Sequence, residues 1–398
     1  MAAAAGKATV TSSVERGLFE PEHEMFRDTV RTFLAEQVLP HVERWEAAGI
    51  VDRSLYVEAG KQGLLGFAVP EEFGGAGVDD FRFNAVLDME FGRALAGSPG
   101  LCLSLQSDIV LPYFLELTTP EQKARWLPGC ASGETVLAIA MTEPGTGSDL
   151  AGIRTRAVRD GDGPDADYVL DGAKTFISSG QNADLVVVAA RTSDDRSRGL
   201  SLLVVERGMP GFARGRNLDK LGLHGQDTSE LSFTGVRVPA ANLLGAEGTG
   251  FPSLLRNLAQ ERLGIAVMAV GGAQGVLETT LAYVRDRTAF GATIGSFQHS
   301  KFLLAELATE VDVAATFVAD CVAQHVAGTL TAARAAKAKW WATELQCRVA
   351  DRCLQLHGGY GYMREYAVAR AFVDARVQTI YGGTTEIMKE IIGRDLGL

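Results

Sequence analysis

The chain has 398 residues, enough for two to four domains around a large buried core, so a small scaffold held together by disulfides or metal is excluded. Lysine and arginine number 38 against 49 aspartates and glutamates, and the resulting net charge of −11 has the wrong sign for a duplex nucleic-acid binder. Hydrophobic residues at 46% and charged residues at 22% are globular proportions, so the chain is expected to fold.

Residues 1–15 are rich in Ala, Ser and Thr but lack the apolar stretch of a secretory signal, and they hold too few arginines for a transit peptide. They read as a frayed tail, part of a disordered segment 1–17. From 18 to 134 the pattern is helical, with Met25, Phe26, Thr29, Val30, Phe33, Leu34 and Val38 recurring at three- and four-residue steps. Breaks fall at Pro40, Gly66 and residues 74–77. A β domain is predicted over 135–245, where short apolar or alternating runs at 136–141, 185–190, 200–205 and 231–238 lie between Gly, Asp and Pro clusters. Helical periodicity returns over 246–398, rich in Ala and Leu through 332–356. The longest uncharged apolar run, 263–277, is too short and too rich in Gly for a bilayer that needs about 20 residues, so a soluble chain is expected. Cys102, Cys130, Cys321, Cys347 and Cys353 form an odd set with no C-x-x-C pair, and read as reduced core residues of a reducing compartment. That compartment is the cytoplasm, or the mitochondrial matrix if the source is eukaryotic.

The order α, β, α does not make the alternating βαβ pattern of a nucleotide-binding parallel sheet, so Gly145-Thr146-Gly147 is not a dinucleotide fingerprint. Four other segments bear on chemistry. Ile139-Ala-Met-Thr-Glu-Pro-Gly-Thr-Gly-Ser148 is a strand followed by a turn whose backbone N–H groups and hydroxyls can cradle a polar planar ring or a phosphate, though an ordinary strand exit reads the same way. Lys174-Thr-Phe-Ile-Ser-Ser179, Arg287-Thr-Ala-Phe-Gly291 with Phe297-Gln298, and Gln355-Leu-His-Gly-Gly-Tyr-Gly-Tyr362 complete the set. Separately, Leu254, Leu258, Glu261, Ile265 and Met268 follow steps of four and three, so Glu261 lies within the apolar stripe of its helix. A carboxylate there is either a base whose pKa burial has raised or the structural partner of a buried arginine.

Taken together, and in order from about Pro21 to Arg394, these segments resemble the acyl-CoA dehydrogenase flavoprotein family. Ala259-Gln-Glu-Arg-Leu263, Leu221-Gly-Leu-His-Gly-Gln-Asp-Thr228 and Tyr381-Gly-Gly-Thr-Thr-Glu-Ile-Met-Lys-Glu390 are most similar to the long-chain members, and isovaleryl-CoA dehydrogenases share the arrangement of the base. The resemblance implies an α+β chain with an N-terminal helical domain, a central β-barrel domain and a C-terminal four-helix bundle. It implies FAD held between domains and across a subunit interface, in a homotetramer built as a dimer of dimers. The implied reaction is dehydrogenation of a medium-chain, long-chain or branched fatty acyl-CoA to the trans-2-enoyl-CoA, with electrons passed to an electron-transfer flavoprotein and no metal. An acyl-CoA oxidase is the competing enzyme, disfavoured because family oxidases are usually longer. A non-catalytic subunit of a hetero-oligomer is the competing non-enzyme, disfavoured because the cofactor and base residues are intact.

Position by position, the resemblance places Met141, Thr142, Gly147 and Ser148 along the flavin, with Ser148 also at the pantetheine end of the substrate. Phe176, Ile177 and Ser178 fall beside the ring, where many relatives carry Trp-Ile-Thr. Arg287, Phe290, Gln298, Gln355, Gly358 and Gly359 match positions that bind the adenine dinucleotide half from a neighbouring subunit; Arg287 offers a planar fork to pyrophosphate. Thr384 and Glu386 match further FAD positions, although Glu386 reads equally as a first-turn helix acid. Many members supply the base from Tyr-Glu-Gly-Thr, which here is Tyr381-Gly382-Gly383-Thr384. Long-chain and isovaleryl members with Gly or Ala at the Gly382 position instead carry it in a segment matching Glu261-Arg262-Leu263, which makes Glu261 the expected base. Leu258, Arg262 and Gly382 join Ser148 at the substrate. The Gly382 N–H is expected to meet the thioester carbonyl, and its missing side chain to leave volume near Cα.

Overall fold

The computed structural model describes residues 15–398 apart from 164 and 197. Most of the segment expected to be a disordered tail lies outside the described residues, but its last part differs from expectation, because a helical turn, Glu15–Leu18, begins there.

The N-terminal domain is helical because its breaks and caps fall where apolar periodicity stops. Helix Pro21–Phe33 opens on a reciprocal pairing of Glu20 with His23 and buries Val30 and Phe33. Helix Phe81–Arg93 opens on Asp80, whose carboxylate accepts from the Arg82 N–H. After Gly97–Ser104 the chain passes through a widened π-type turn, Leu105–Val110, before helix Leu111–Leu117. The extra residue in that turn rotates the face that the following helix presents. Helix Pro120–Ser132 ends at Gly133, whose φ of +76° and close approach to the Tyr56 carbonyl, 2.0 Å from where a Cβ would stand, require glycine.

The β domain is one eight-stranded sheet: β1 (Leu137–Ala140), β2 (Arg156–Arg159), β3 (Tyr168–Ser178), β4 (Leu185–Arg191), β5 (Leu200–Glu206), β6 (Phe212–Asn217), β7 (Thr228–Val238) and β8 (Leu243–Leu244). The hydrogen-bonded order is β6-β7-β3-β2-β4-β5-β8, with β1 added parallel to β4, an open path rather than a closed ring. Strand β4 is buried on both faces. Leu185, Val187 and Ala189 pack with the N-terminal helices, while Val186, Val188 and Ala190 pack with β3, β5 and β7 on the other side. The sequence runs found β1, β4, β5 and β7. Strands β2 and β6 escaped because they are short and half polar, and β3 because Asp171, Gly172 and Lys174 interrupt its apolar residues.

The C-terminal domain has three long helices, Gly250–Asp286, Gln298–Val326 and Ala332–His357, followed by the shorter Ala367–Gln378 and Thr385–Asp395. This is one element more than the four-helix bundle expected. Helix Gly250–Asp286 runs through the centre, and its glycines let Phe81–Arg93 cross it in backbone contact. A Cβ on Gly92 would stand 2.5 Å from the Met268 carbonyl oxygen, one on Gly271 2.4 Å from that of Met89, and one on Gly275 2.2 Å from that of Arg93. The long helix meets the length and composition of a membrane span, but most of its apolar window is buried inside the protein. The five cysteines are unpaired; four are buried, whereas Cys347 is only half-buried, its Sγ 3.4 Å from the Ala375 carbonyl.

Gly92→Ala is expected to force the two helices apart and to cost about 1–3 kcal/mol. Gly393→Ala, in a helix with open space around its Cβ position, is expected to be neutral or stabilising. Thermal unfolding of both variants checks the contrast, and equal midpoints would contradict it.

Candidate active site

The long helix carries Glu261 to the point where the N-terminal helices stop covering it. The side chain is 4% exposed. Its Oε1 accepts from the Tyr113 hydroxyl at 3.1 Å and from Asn257 Nδ2 at 3.2 Å, and Asn257 is itself anchored on the Ile109 carbonyl at 2.9 Å. Burial pushes the carboxyl up to about 7, against the pull of Tyr113, Arg262 and Asn257, which favour the charged form. Leu258, half-buried, lies one turn earlier on the same helix.

The next residue, Arg262, ties the base to the loop after helix Ala367–Gln378. Its Nε donates to the Gly382 carbonyl at 3.3 Å, while Lys339 Nζ donates to the Gly383 carbonyl at 2.7 Å. Lys339 has no exposed surface, and burial, with help from the neighbouring Arg262 charge, pushes its amine down to about 7. Gly382 and Gly383 have φ of +63° and +102°, so two buried cations hold a backbone shape that side-chain-bearing residues resist. The expectation that Gly382 leaves free volume needs correction. A Cβ there would stand 2.5 Å from Ile265 Cδ1, so Ile265 already fills the space beside it.

A second cluster forms where β1 and β3 end. Lys174, on β3, donates to the Met141 carbonyl at 3.0 Å and to Glu143 Oε1 at 2.9 Å, and Glu143 also accepts from the Arg154 and Thr155 N–H groups. Burial pushes Lys174 down to about 8. The turn after β1 is thus braced from beneath, with Met141 and Thr142 half-buried and Gly147 and Ser148 on the surface. The Thr175 N–H donates to the Thr142 carbonyl at 2.9 Å, which brings this turn beside residues 176–178. Phe176 sits at φ +58° in a bulge of β3 and is 67% exposed. A strained, outward-facing aromatic is costly unless something covers it. Ser178 is half-buried, but the Ile177 side chain turns into the sheet interior, so only its backbone faces outward.

A third cluster lies at the ends of the long helices. Arg287, Gly358 and Gly359 line a cleft of about 490 Å³ together with Tyr283, His357 and Tyr360, and the Arg287 guanidinium stands 5.4 Å from the Tyr360 ring centre. Added Cβ atoms on Gly358 or Gly359 would meet nothing within 4 Å. Phe290 is 98% exposed at φ +53°, and Gln298 and Gln355 are exposed. Thr384 accepts from the Ile387 N–H at 3.4 Å as the cap of helix Thr385–Asp395, and Glu386 is an exposed acid in its first turn. Among the described residues no hydrogen bond, ion pair or ring contact joins the Arg287 cluster to the turn at 141–148.

Sequence reasoning missed Tyr113, Asn257 and Lys339, and saw Lys174 without its role. Asn257 had a signal, one turn before Glu261 on the same face. Tyr113 had none, because it is 148 residues from Glu261 in sequence and its approach depends on the π-type turn just before it.

Residues 20–134, 138–236 and 248–397 match the models for the N-terminal, middle and C-terminal domains of acyl-CoA dehydrogenase. The chain is 48% identical over 384 residues to the mitochondrial long-chain specific acyl-CoA dehydrogenase of Sus scrofa, covering 96% of this chain and 88% of that one. It superposes on an acyl-CoA dehydrogenase from Geobacillus kaustophilus with TM-score 0.92 and 47% identity, covering 98% of this chain and 100% of that one. For butyryl-CoA dehydrogenase from Megasphaera elsdenii the TM-score is 0.90, the identity 32% and the coverage 96% and 99%. The chain therefore belongs to the acyl-CoA dehydrogenase family, as its motifs implied, and is an oxidoreductase acting on a CH–CH bond.

Lys174→Met is expected to strand Glu143 as a buried, unpaired charge and to cost about 3–5 kcal/mol. Adding Glu143→Gln should restore part of that loss, since the amide removes the unpaired charge and keeps one acceptor oxygen for either the Arg154 or the Thr155 N–H. A denaturation series on the two variants checks the order; a double variant less stable than the single one would contradict it.

Proposed function

We propose that this protein is an FAD-dependent dehydrogenase of a medium-chain, long-chain or branched fatty acyl-CoA, with Glu261 as the base, forming the trans-2-enoyl-CoA. The observation that carries the reading is a buried carboxyl brought to about 7, held by one oxygen and next to the Gly382 loop. A group poised near neutrality is suited to exchange a proton at working pH. The residues present fit the cofactor: two exposed aromatics at positive φ, Phe176 and Phe290, need a covering surface, and the open cleft at Gly358 and Gly359 beside Arg287 suits a pyrophosphate. A flavin bound there supplies the hydride acceptor for Cβ.

The chain's own contribution is positioning and proton transfer. Glu261 takes the Cα proton. The Gly382 N–H, fixed by the grip of Arg262 and Lys339 on the next two carbonyls, donates to the thioester oxygen as negative charge develops on it. Ser148 and Leu258 line the path of the acyl-CoA, and Thr142, Gly147 and the backbone of Ile177 line the ring with Met141, Phe176 and Ser178. Arg287, Gln298 and Gln355, with Gly358, Gly359 and Phe290, hold the adenine half in a neighbouring subunit of a homotetramer, and Thr384 and Glu386 touch it near the base loop. Exposed Phe302 and Trp341 on the long C-terminal helices, with Tyr362 in the turn after Ala332–His357, support burial against another copy. Electrons leave to an electron-transfer flavoprotein. Five unpaired cysteines suit a reducing compartment, the cytoplasm or, in a eukaryote, the mitochondrial matrix.

The Glu261→Gln variant keeps the size and polarity of the side chain and removes the base. Turnover with a panel of acyl-CoA esters and an artificial electron acceptor is expected to fall by roughly 10²–10⁴, with stoichiometric FAD retained. Near-normal flavin reduction by substrate would sink the assignment.

A further inference from the structure

Glu261 is gripped asymmetrically. Tyr113 and Asn257 both donate to Oε1, and Oε2 has no hydrogen-bond partner among the described residues. Asn257 is fixed in turn by the Ile109 carbonyl, at the end of the π-type turn that aims Tyr113 inward. Tyr113 is 3% exposed, and burial together with the Glu261 charge raises its phenol well above the ordinary value. It therefore stays protonated, and remains a donor, wherever the carboxyl titrates.

We propose that Tyr113 is a positioning residue for the dehydrogenation: it holds Oε1 of Glu261 so that Oε2 is the atom presented to the substrate Cα–H, and its hydrogen bond keeps the carboxylate form available at neutral pH. The inference rests on Glu261 being the base. A hydrogen bond to the charged form opposes the rise that burial causes. Without the hydroxyl the carboxylate loses one of two donors, rotates about its terminal bond, and holds its proton to higher pH.

Other charged and titratable groups lie on the elements around the carboxyl, and of these Arg262 acts on it directly. Arg262 follows it on its own helix, with Lys339 behind. Glu116 lies farther along the helix of Tyr113, 3.3 Å from Arg256. Asp88 and Asp108 reach Gly264, one turn beyond Glu261, with Oδ2 atoms 3.1 and 3.6 Å from where its Cβ would stand. Burial raises both, which favours their neutral forms. None of these groups hydrogen-bonds the Tyr113 hydroxyl in the structure; besides Glu261, the Asn257 side chain and the Glu116 charge bear on it.

The test is anaerobic stopped-flow reduction of the bound flavin by saturating acyl-CoA, followed against pH in the holoenzyme of wild type, Tyr113→Phe and Glu261→Gln. In Tyr113→Phe the half-maximal rate is expected at a pH about one unit higher, equivalent to an about tenfold slower reaction on the acid side, with recovery toward the wild-type plateau at alkaline pH. FAD content should be unchanged. Fluorinated tyrosine at position 113, a stronger donor, should move the half-maximal pH the opposite way, and it keeps the test open if Tyr113→Phe folds poorly. A midpoint that stays put in both variants, while Glu261→Gln is inactive, overturns the role of Tyr113 and leaves the base in place. An active Glu261→Gln overturns the base itself.

Discussion

A carboxyl group inside a helix crossing is costly to ionise, and this cost organises the candidate site. The lift of Glu261 from an ordinary 4.5 to about 7 corresponds to roughly 3 kcal/mol at 1.36 kcal/mol per pKa unit. Its sign follows from linkage. Because the folded value lies above the unfolded one, the penalty is absent below the unfolded pKa, grows as pH rises between the two, and is fully present above about 7. The neighbours decide how large it becomes: Tyr113 and Asn257 each supply a donor, and Arg262 a nearby cation, yet burial still outweighs them. What remains is a proton acceptor whose two forms are close in free energy at neutral pH.

Several other features follow from keeping water away from that group while leaving one oxygen open. Helices Phe81–Arg93 and Gly250–Asp286 touch through glycine, and the stretch of the long helix that follows Glu261 is buried. Ile265 closes the space beside Gly382. Arg262 and Lys339 fix the two-glycine loop, and their own proximity lowers the lysine, so the loop is held by cations that burial makes expensive. The β domain repeats the device with Lys174 and Glu143, a buried pair that sets the turn after β1. Arg262, Lys339 and Lys174 act on backbone carbonyls and Glu143 on the Arg154 and Thr155 N–H groups, the atoms that fix where a loop or a turn will point.

Much of this architecture is written in local pattern. The steps of three and four from Leu254 to Met268 put Glu261 inward, and β4 shows itself because it is apolar on both faces. The alternative base came from the family resemblance, through Gly382 where many members carry a glutamate and through Glu261-Arg262-Leu263. What was hidden depends on distance in sequence. Tyr113 reaches Glu261 only because the widened turn at Leu105–Val110 rotates its helix, and Lys339 reaches Gly383 from another helix. Ile265 moving into the room left by Gly382 is a packing outcome that no spacing encodes. Strands β2 and β6 were missed for a simpler reason: both are short and half polar, and β6, at the edge of the sheet, needs no apolar alternation.

The account depends on the carboxyl of Glu261 titrating near neutrality in the folded holoenzyme. Difference infrared spectra between wild type and Glu261→Gln, followed from about pH 5 to about pH 9, isolate that group, because Asp88, Asp108 and the other buried acids are common to both proteins and cancel. The protonated carboxyl band in the difference is expected to fall to half its size near pH 7. A band already lost by about pH 5, as for a solvent-exposed glutamate, would contradict it.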